Sequence, residues 1–288
     1  MTLISALLGI AADRLLPQLH EYRRYEPFLA YVDWLRERLS GPAWEHIGGL
    51  LLLLLPVWTA VVLVQSWTSD WLFGLVGLLF YVAVLVYCLG PRDLGADVDT
   101  FCQAQESGDI GLQQRAAAFF LPGDAVPGDP EQRAQQVSTA VLVEANDRLF
   151  AVLFWFALLG PLGAVLYRSV AVLYQQRREP GEFGDSIAWL NSALVWLPAR
   201  LLAFGYALSG HFDAAVDGWR EAHRRLPQGS EGTLDVLAVT GAGALGVDSE
   251  TAGPNGVPRV RAAMRLVWRT LAIWLVVIAL FTLAGWAS

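Results

Sequence analysis

Five long apolar runs, near residues 47–69, 71–91, 149–174, 187–209 and 268–288, alternate with polar stretches at 92–148 and 210–263. The first run has no charge between Ile47 and Ser69, and its core reads GGLLLLLLPVWTAVVLVQ. About 20 apolar residues in a helix cross the hydrocarbon layer of a bilayer. The second run, Trp71 to Pro91, is also free of charge and follows after the turn SWTSD, with Trp67 and Trp71 placed as an aromatic belt. The two runs therefore predict a helical hairpin.

The third run, 149–174, is interrupted by LLGPLG at 158–163 and carries Arg168. The fourth contains LNSALVWLPARLLAFGYALSG, which is apolar enough for a membrane yet holds Asn191, Ser192, Pro198 and Arg200. These two runs either cross fully or form broken, re-entrant helices, which persist at membrane depth only where protein or a water-filled cavity surrounds them. The last run has no charge from Thr270 onward and follows Arg259, Arg261, Arg265 and Arg269.

Residues 1–46 read as N-terminal helices, with 16–46 amphipathic at the membrane surface. The first twenty residues lack a basic leader and are interrupted by Asp13–Arg14, so they are expected to remain in the mature protein. Arg14, Arg23, Arg24, Arg36 and Arg38 precede the first run and none follows it in the turn; the positive-inside rule then puts the N-terminus in the cytoplasm. Stretch 92–148 predicts one or two soluble helices, with a Pro/Gly/Asp loop over 121–132. The fold class is all-α: a polytopic integral membrane protein with about 4–5 hydrophobic helices, amphipathic and cytoplasmic helices beside them, in a single domain over 1–288.

Composition agrees, with 55% hydrophobic residues, 16% charged and mean hydropathy +0.43 over 288 residues. All 20 basic residues are arginine, which excludes a lysine Schiff base and a P-loop lysine. The net charge of −7 argues against nucleic acid as a partner. Two cysteines, Cys88 and Cys102, make no disulfide framework, and four scattered histidines make no zinc motif.

Three constellations carry chemistry. Arg200 lies inside a membrane segment, where ionisable side chains usually face a polar interior. Pro198 cannot donate to the carbonyl of Leu194, and a kink there brings Asn191 and Arg200 toward one cavity. The plain alternative is an arginine that snorkels to the interface or pairs with Asp185, Asp147 or Glu144. Glu144, Asn146, Asp147 and Arg148 stand at the mouth of the third run, and Glu144–Arg148 has the favoured i,i+4 spacing of a salt-bridged helix start. Gly241, Gly243 and Gly246 match G-x-G-x-x-G, but a linker and an apolar run follow, leaving no room for a dinucleotide-binding βαβ unit. A small-residue helix or close-packed turn is expected instead.

MTLISALLGIAADRLL (1–16), GPLGAVLYR (160–168) and WLPARLLAFGYALSGHFDAAVDGW (196–219) resemble the AmpE family, inner-membrane proteins linked to regulation of inducible β-lactamase. That family is in turn similar to CobD/CbiB, membrane synthases that join a corrin carboxylate to an aminopropanol or its phosphate with ATP and magnesium. The shared features are Asp13, with Arg14 beside it, the cluster Glu144–Arg148, FGDSIAWLNSALVWLPARL (183–201) with Asp185, Asn191 and Arg200, and AGALGV (242–247). Three synthase stretches are altered: LLPQLHEYRR stands where a GDP…HPV pattern is found, EANDR replaces ENTxDG, and QGSEGTLDV replaces SPNAGWPEA.

The resemblance implies a multi-pass protein of the bacterial inner membrane that regulates β-lactamase induction and cell-wall recycling. The altered stretches point away from corrin amidation. A small acidic or phosphorylated ligand, or a muropeptide, is expected to meet Arg148, Arg168 and Arg200, since guanidinium groups bind such anions in bidentate fashion. The alternative is an amide-forming synthase on a non-corrin substrate, with ATP and with Mg²⁺ held by Glu144 and Asp147. The lipid bilayer and a second copy of the chain complete the expected partners. A transporter ranks last, because no inverted repeat is visible.

Overall fold

The computed structural model describes residues 2–15, 23, 25–38, 47–68, 75–90, 92–121, 123, 126–176, 181–225, 230–246 and 254–284. Among these every regular element is helical. Three helices are long and apolar enough to cross a membrane: α3 (Ile47–Thr68), α10 (Glu182–Ser209) and α13 (Val257–Leu283). Only 22% of the apolar window of α3 and 28% of that of α13 is buried in protein. Their exposed side chains include Leu51, Leu55 and Leu63 on α3, Trp189, Phe204 and Leu208 on α10, and Leu280 and Phe281 on α13. Apolar surface on this scale needs lipid to cover it, so the chain is a membrane protein.

The chain forms two compact units, each drawn from separate stretches of sequence: Met1–Pro91, Ala151–Val195 and Val277–Ser288 in one, Arg92–Phe150 and Trp196–Val276 in the other. In the first unit α1 (Thr2–Leu15) packs on α4 (Leu75–Cys88), and α4 on α9 (Pro161–Gln176). Gly9 makes the first contact close, since a Cβ there would lie 2.7 Å from Leu85 Cδ2. α2 (Glu26–Arg38) occupies part of the surface helix expected over 16–46; residues 16–22, 24 and 39–46 lie outside the described residues, as does Trp71.

The run 149–174 is not one helix. A five-residue π segment (Asn146–Phe150) leads into α8 (Ala151–Leu159), which ends at Gly160 with φ +66°, and α9 begins at Pro161. Left-handed Gly followed by Pro at the first helical position is a strong stop-and-restart signal.

The second unit opens with three helices where one or two were expected: α5 (Leu94–Ser107), α6 (Ile110–Ala118) and α7 (Pro130–Ala145). Each starts on an aspartate. Asp93 accepts from Gly95 N, Asp109 from Gly111 N and Asp129 from Gln132 N, at 2.6, 2.8 and 2.8 Å. The Asp129 cap ends the expected loop early, at Pro130. α11 (Phe212–Arg225) and α12 (Ser230–Leu245) pack against each other through small residues. α13 starts at Val257 rather than near 268, because the four arginines ahead of the apolar run are themselves helical.

Candidate functional site

A buried polar cluster sits where α7 passes into the π segment. Arg148 Nε donates to Glu144 Oε2, and its Nη1 to Asp97 Oδ2, both at 2.7 Å. Asp97 also meets Arg92 Nε at 3.2 Å, and the Arg92 guanidinium lies 4.1 Å from the centre of the Phe119 ring. Asp97 and Arg148 are 4% and 9% exposed, so this ion pair is removed from water. Burial pushes the Glu144 carboxyl up, against the pull of Arg148 and with the help of Asp147. Burial also opposes the charge on Arg148, but Glu144 and Asp97 outweigh it and hold the guanidinium above its ordinary value.

Asn146 is 1% exposed, and neither its Oδ1 nor its Nδ2 has a hydrogen-bond partner. An unsatisfied buried polar group costs on the order of 1–3 kcal/mol. π segments recur at functional sites, where the extra residue re-aims side chains. Asp147 is half-buried beside it.

A surface groove of about 770 Å³ runs along α7 on the same side as Glu144. Gln132, Gln135, Gln136, Thr139 and Glu144 line it from α7, facing Phe120.

The first unit places its buried charges differently. Arg168 Nε donates to Cys88 O at 2.6 Å, Tyr25 Oη to Leu89 O at 3.4 Å and Arg23 Nη1 to Gly90 O at 2.7 Å. Three successive carbonyls at the C-terminus of α4 are thus capped, two of them by cations at the negative end of the helix dipole. Asp13 forms a salt bridge with Arg23. The Arg14 side chain lies outside the described residues. Asp185 is exposed in the first turn of α10, where a carboxylate complements the dipole, and Asn191 is buried further along that helix.

Arg200 is half-buried, with its guanidinium 4.1 Å from the centre of the Trp196 ring and Nη1 3.4 Å from Trp196 O. It is a cation resting on an aromatic ring that is itself 49% exposed, rather than paired with Asp185, Asp147 or Glu144. The Leu194 carbonyl that Pro198 leaves free accepts from Trp155 Nε1 at 3.0 Å. The proline is accommodated by a side-chain donor from α8.

The fold therefore joins Glu144 to Arg148, with Asn146 and Asp147 in the same turn and Arg200 in the same unit. Asp13, Arg168, Asp185 and Asn191 belong to the other unit. Sequence reasoning missed Asp97, Arg23 and a further buried cation, Arg133, whose Nη2 donates to Gln105 and Gln113. Asp97 was detectable: Leu94, Val98, Phe101 and Gln105 repeat at helical spacing, and position 97 falls on that buried face.

The glycine motif is structural. A Cβ on Gly243 would lie 2.5 Å from Ala214 O, one on Gly241 would lie 2.9 Å from Leu142 Cδ1, and Gly246 turns with φ +68° against His211. Gly241 and Gly243 let α12 approach its neighbours, and the Gly246 conformation ends the helix.

The CobD/Cbib protein family matches residues 6–255. A cobalamin biosynthesis protein CobD from Stutzerimonas stutzeri is 30% identical over 313 aligned residues, covering 99% of this chain and 95% of that protein. A second, from Chromobacterium violaceum, is 33% identical over 217 residues, 74% of this chain and 65% of that protein. A probable CobD from Thermococcus kodakarensis is 27% identical over 189 residues, 62% of each. No solved structure matches.

Proposed function

This chain belongs to the CobD/Cbib protein family, and from that premise we propose that it is a membrane synthase that forms an amide bond between a carboxylate and an amine, driven by ATP. The observation that carries the reading is the alignment of 99% of the chain with a protein named for cobalamin biosynthesis. The altered stretches LLPQLHEYRR, EANDR and QGSEGTLDV favour a substrate other than the corrin of the family. A cytoplasmic N-terminus is supported by the arginines ahead of the first span, and inner-membrane residence by the resemblance to the AmpE family.

The donors present do not suit a resident magnesium ion. Glu144 Oε2 is taken by Arg148, Asp97 is shared by two arginines, and no group of three metal-binding side chains occurs among the described residues. Magnesium fits better as part of the nucleotide substrate, where phosphate oxygens and water supply most of its ligands.

Two measurements test the proposal. Membranes containing the protein are expected to incorporate labelled amines into lysate carboxylates only when Mg-ATP is added; incorporation independent of nucleotide would refute amide synthesis. The chain is expected not to restore cobalamin-dependent growth to a strain lacking CobD, and rescue would make the substrate the corrin after all.

A second reading, regulation of β-lactamase induction as in AmpE, rests on the resemblance of residues 1–16, 160–168 and 196–219 to that family. Such a protein would sense a muropeptide or another acidic ligand instead of turning it over. Deleting it would alter β-lactamase induction by a β-lactam; unchanged induction removes this reading.

A further inference from the structure

Arg133 carries a buried charge that the cluster around Arg148 does not use. It lies near the start of α7, 2% exposed, and among the described residues no carboxylate touches it. Its acceptors are neutral oxygens. Nη1 donates to Pro127 O at 3.1 Å, and Nη2 to Gln105 Oε1 and Gln113 Oε1 at 3.2 and 2.8 Å. Gln113 Nε2 in turn donates to Gln105 O at 3.4 Å, which ties α6 to α5. Two donor groups remain. Arg133 Nε and Gln105 Nε2 are both buried and have no acceptor, and Gln105 is only 1% exposed. They belong to the two side chains that the 3.2 Å bond joins. Turning the Gln105 carboxamide over would set its own N–H groups against the guanidinium, so its orientation is fixed. Among the described residues no buried side-chain oxygen on α5, α6 or α7 lacks a partner and could take up these donors. The Asp129 carboxylate offsets the burial of the cation from a distance, but it is exposed and caps α7 through Gln132 N. Donors and positive charge are therefore in excess in one buried place, and a buried charge without a counter-charge is strongly unfavourable.

We propose that α5, α6 and α7 together bind a single halide ion, chloride in the cell, between Arg133 Nε and Gln105 Nε2. A water molecule would accept from both donors but leave the charge uncompensated. An oxyanion such as phosphate brings more acceptor positions than the N–H bonds of these two groups can fill. The halide supplies the counter-charge that the three helices lack, and it makes their stability depend on the anion in solution. The site is independent of amide synthesis, and its test needs no turnover.

The test uses the full-length protein in a non-ionic detergent, with sodium gluconate replaced by sodium chloride at constant ionic strength. The melting temperature is expected to rise and then saturate, as mass action requires of one site. Bromide is expected to act as chloride does, and phosphate to have no such effect. The chloride NMR line is expected to broaden in the presence of the protein and to narrow when bromide is added. Gln105→Glu removes the orphaned amide and sets a carboxylate against Arg133 while the side-chain shape is kept. That variant is expected to melt in gluconate no lower than the unaltered protein melts in chloride, and to be indifferent to chloride. A melting temperature unmoved by chloride, a rise as large with phosphate, line broadening that bromide does not relieve, or an equal chloride response in Gln105→Glu would each overturn the proposal.

Discussion

Pro198 and Trp155 form a pair that can be tested by restoring what the proline took away. Proline at position 198 has no N–H for the carbonyl of Leu194, a residue only 5% exposed, and Trp155 Nε1 supplies the missing donor at 3.0 Å. Trp155→Phe keeps most of the ring and removes the donor. The cost is that of an unsatisfied buried carbonyl, about 1–3 kcal/mol, plus a smaller loss of apolar contact. In a Pro198→Ala background the new backbone N–H reaches Leu194 O, so Trp155→Phe loses only the contact. The coupling between the two sites is then about 1–2 kcal/mol, roughly a factor of 5 to 30 in the unfolding constant. Equilibrium unfolding of the four proteins in one mixed-micelle system, titrated with SDS, measures it. Equal costs of Trp155→Phe in both backgrounds would refute the donor role and leave Trp155 as packing alone.

Four further outcomes follow from the geometry. Asp97→Asn is expected to destabilise the protein by about 3 kcal/mol, the low end for breaking a buried pair because Arg148 keeps Glu144, whereas Glu106→Gln at the half-exposed Arg261 pair should cost less than about 1 kcal/mol by the same unfolding assay. Gly243→Val should force α12 from α11, since even a Cβ lies 2.5 Å from Ala214 O, and hydrogen exchange of both helices should quicken; unchanged protection would mean the contact yields at no cost. Because burial raises the Glu144 carboxyl, the folded state holds that proton to higher pH than the unfolded state. This contribution is full below the unfolded value of about 4.3 and is lost as pH rises through the folded value, so Glu144→Gln should flatten the decline in stability above about pH 4.3. Burial pushes the Cys102 thiol up to about 11, so alkylation of the folded protein at neutral pH should be slow and should become fast on unfolding.

The candidate site was legible only in its local part. Glu144 and Arg148 are four residues apart on a helix, and that spacing alone brings them together. Asp97, 51 residues from Arg148, could be placed on a buried face by its own helical pattern, but nothing local says which cation it meets. Arg168 and Arg200 looked equivalent as cations in apolar runs. Arg168 caps the C-terminus of α4, which depends on the helix packed beside it, whereas Arg200 lies on the ring of Trp196, four residues earlier on its own helix.

The sequence by itself determined the membrane class, because runs of about 20 uncharged residues have no other stable solvent. The break at Gly160–Pro161 was legible as well; the helix starts at Asp93, Asp109 and Asp129, where only one or two helices and a loop to 132 were expected, are also set locally, since capping and proline geometry act within a few residues. Tertiary structure alone decided the assembly of Asp97 with Arg148, the use of Arg23 and Arg168 on the carbonyls of α4, and the donor for Leu194. Each of these satisfies a buried charge or backbone group, and desolvation makes such partners obligatory without making them local.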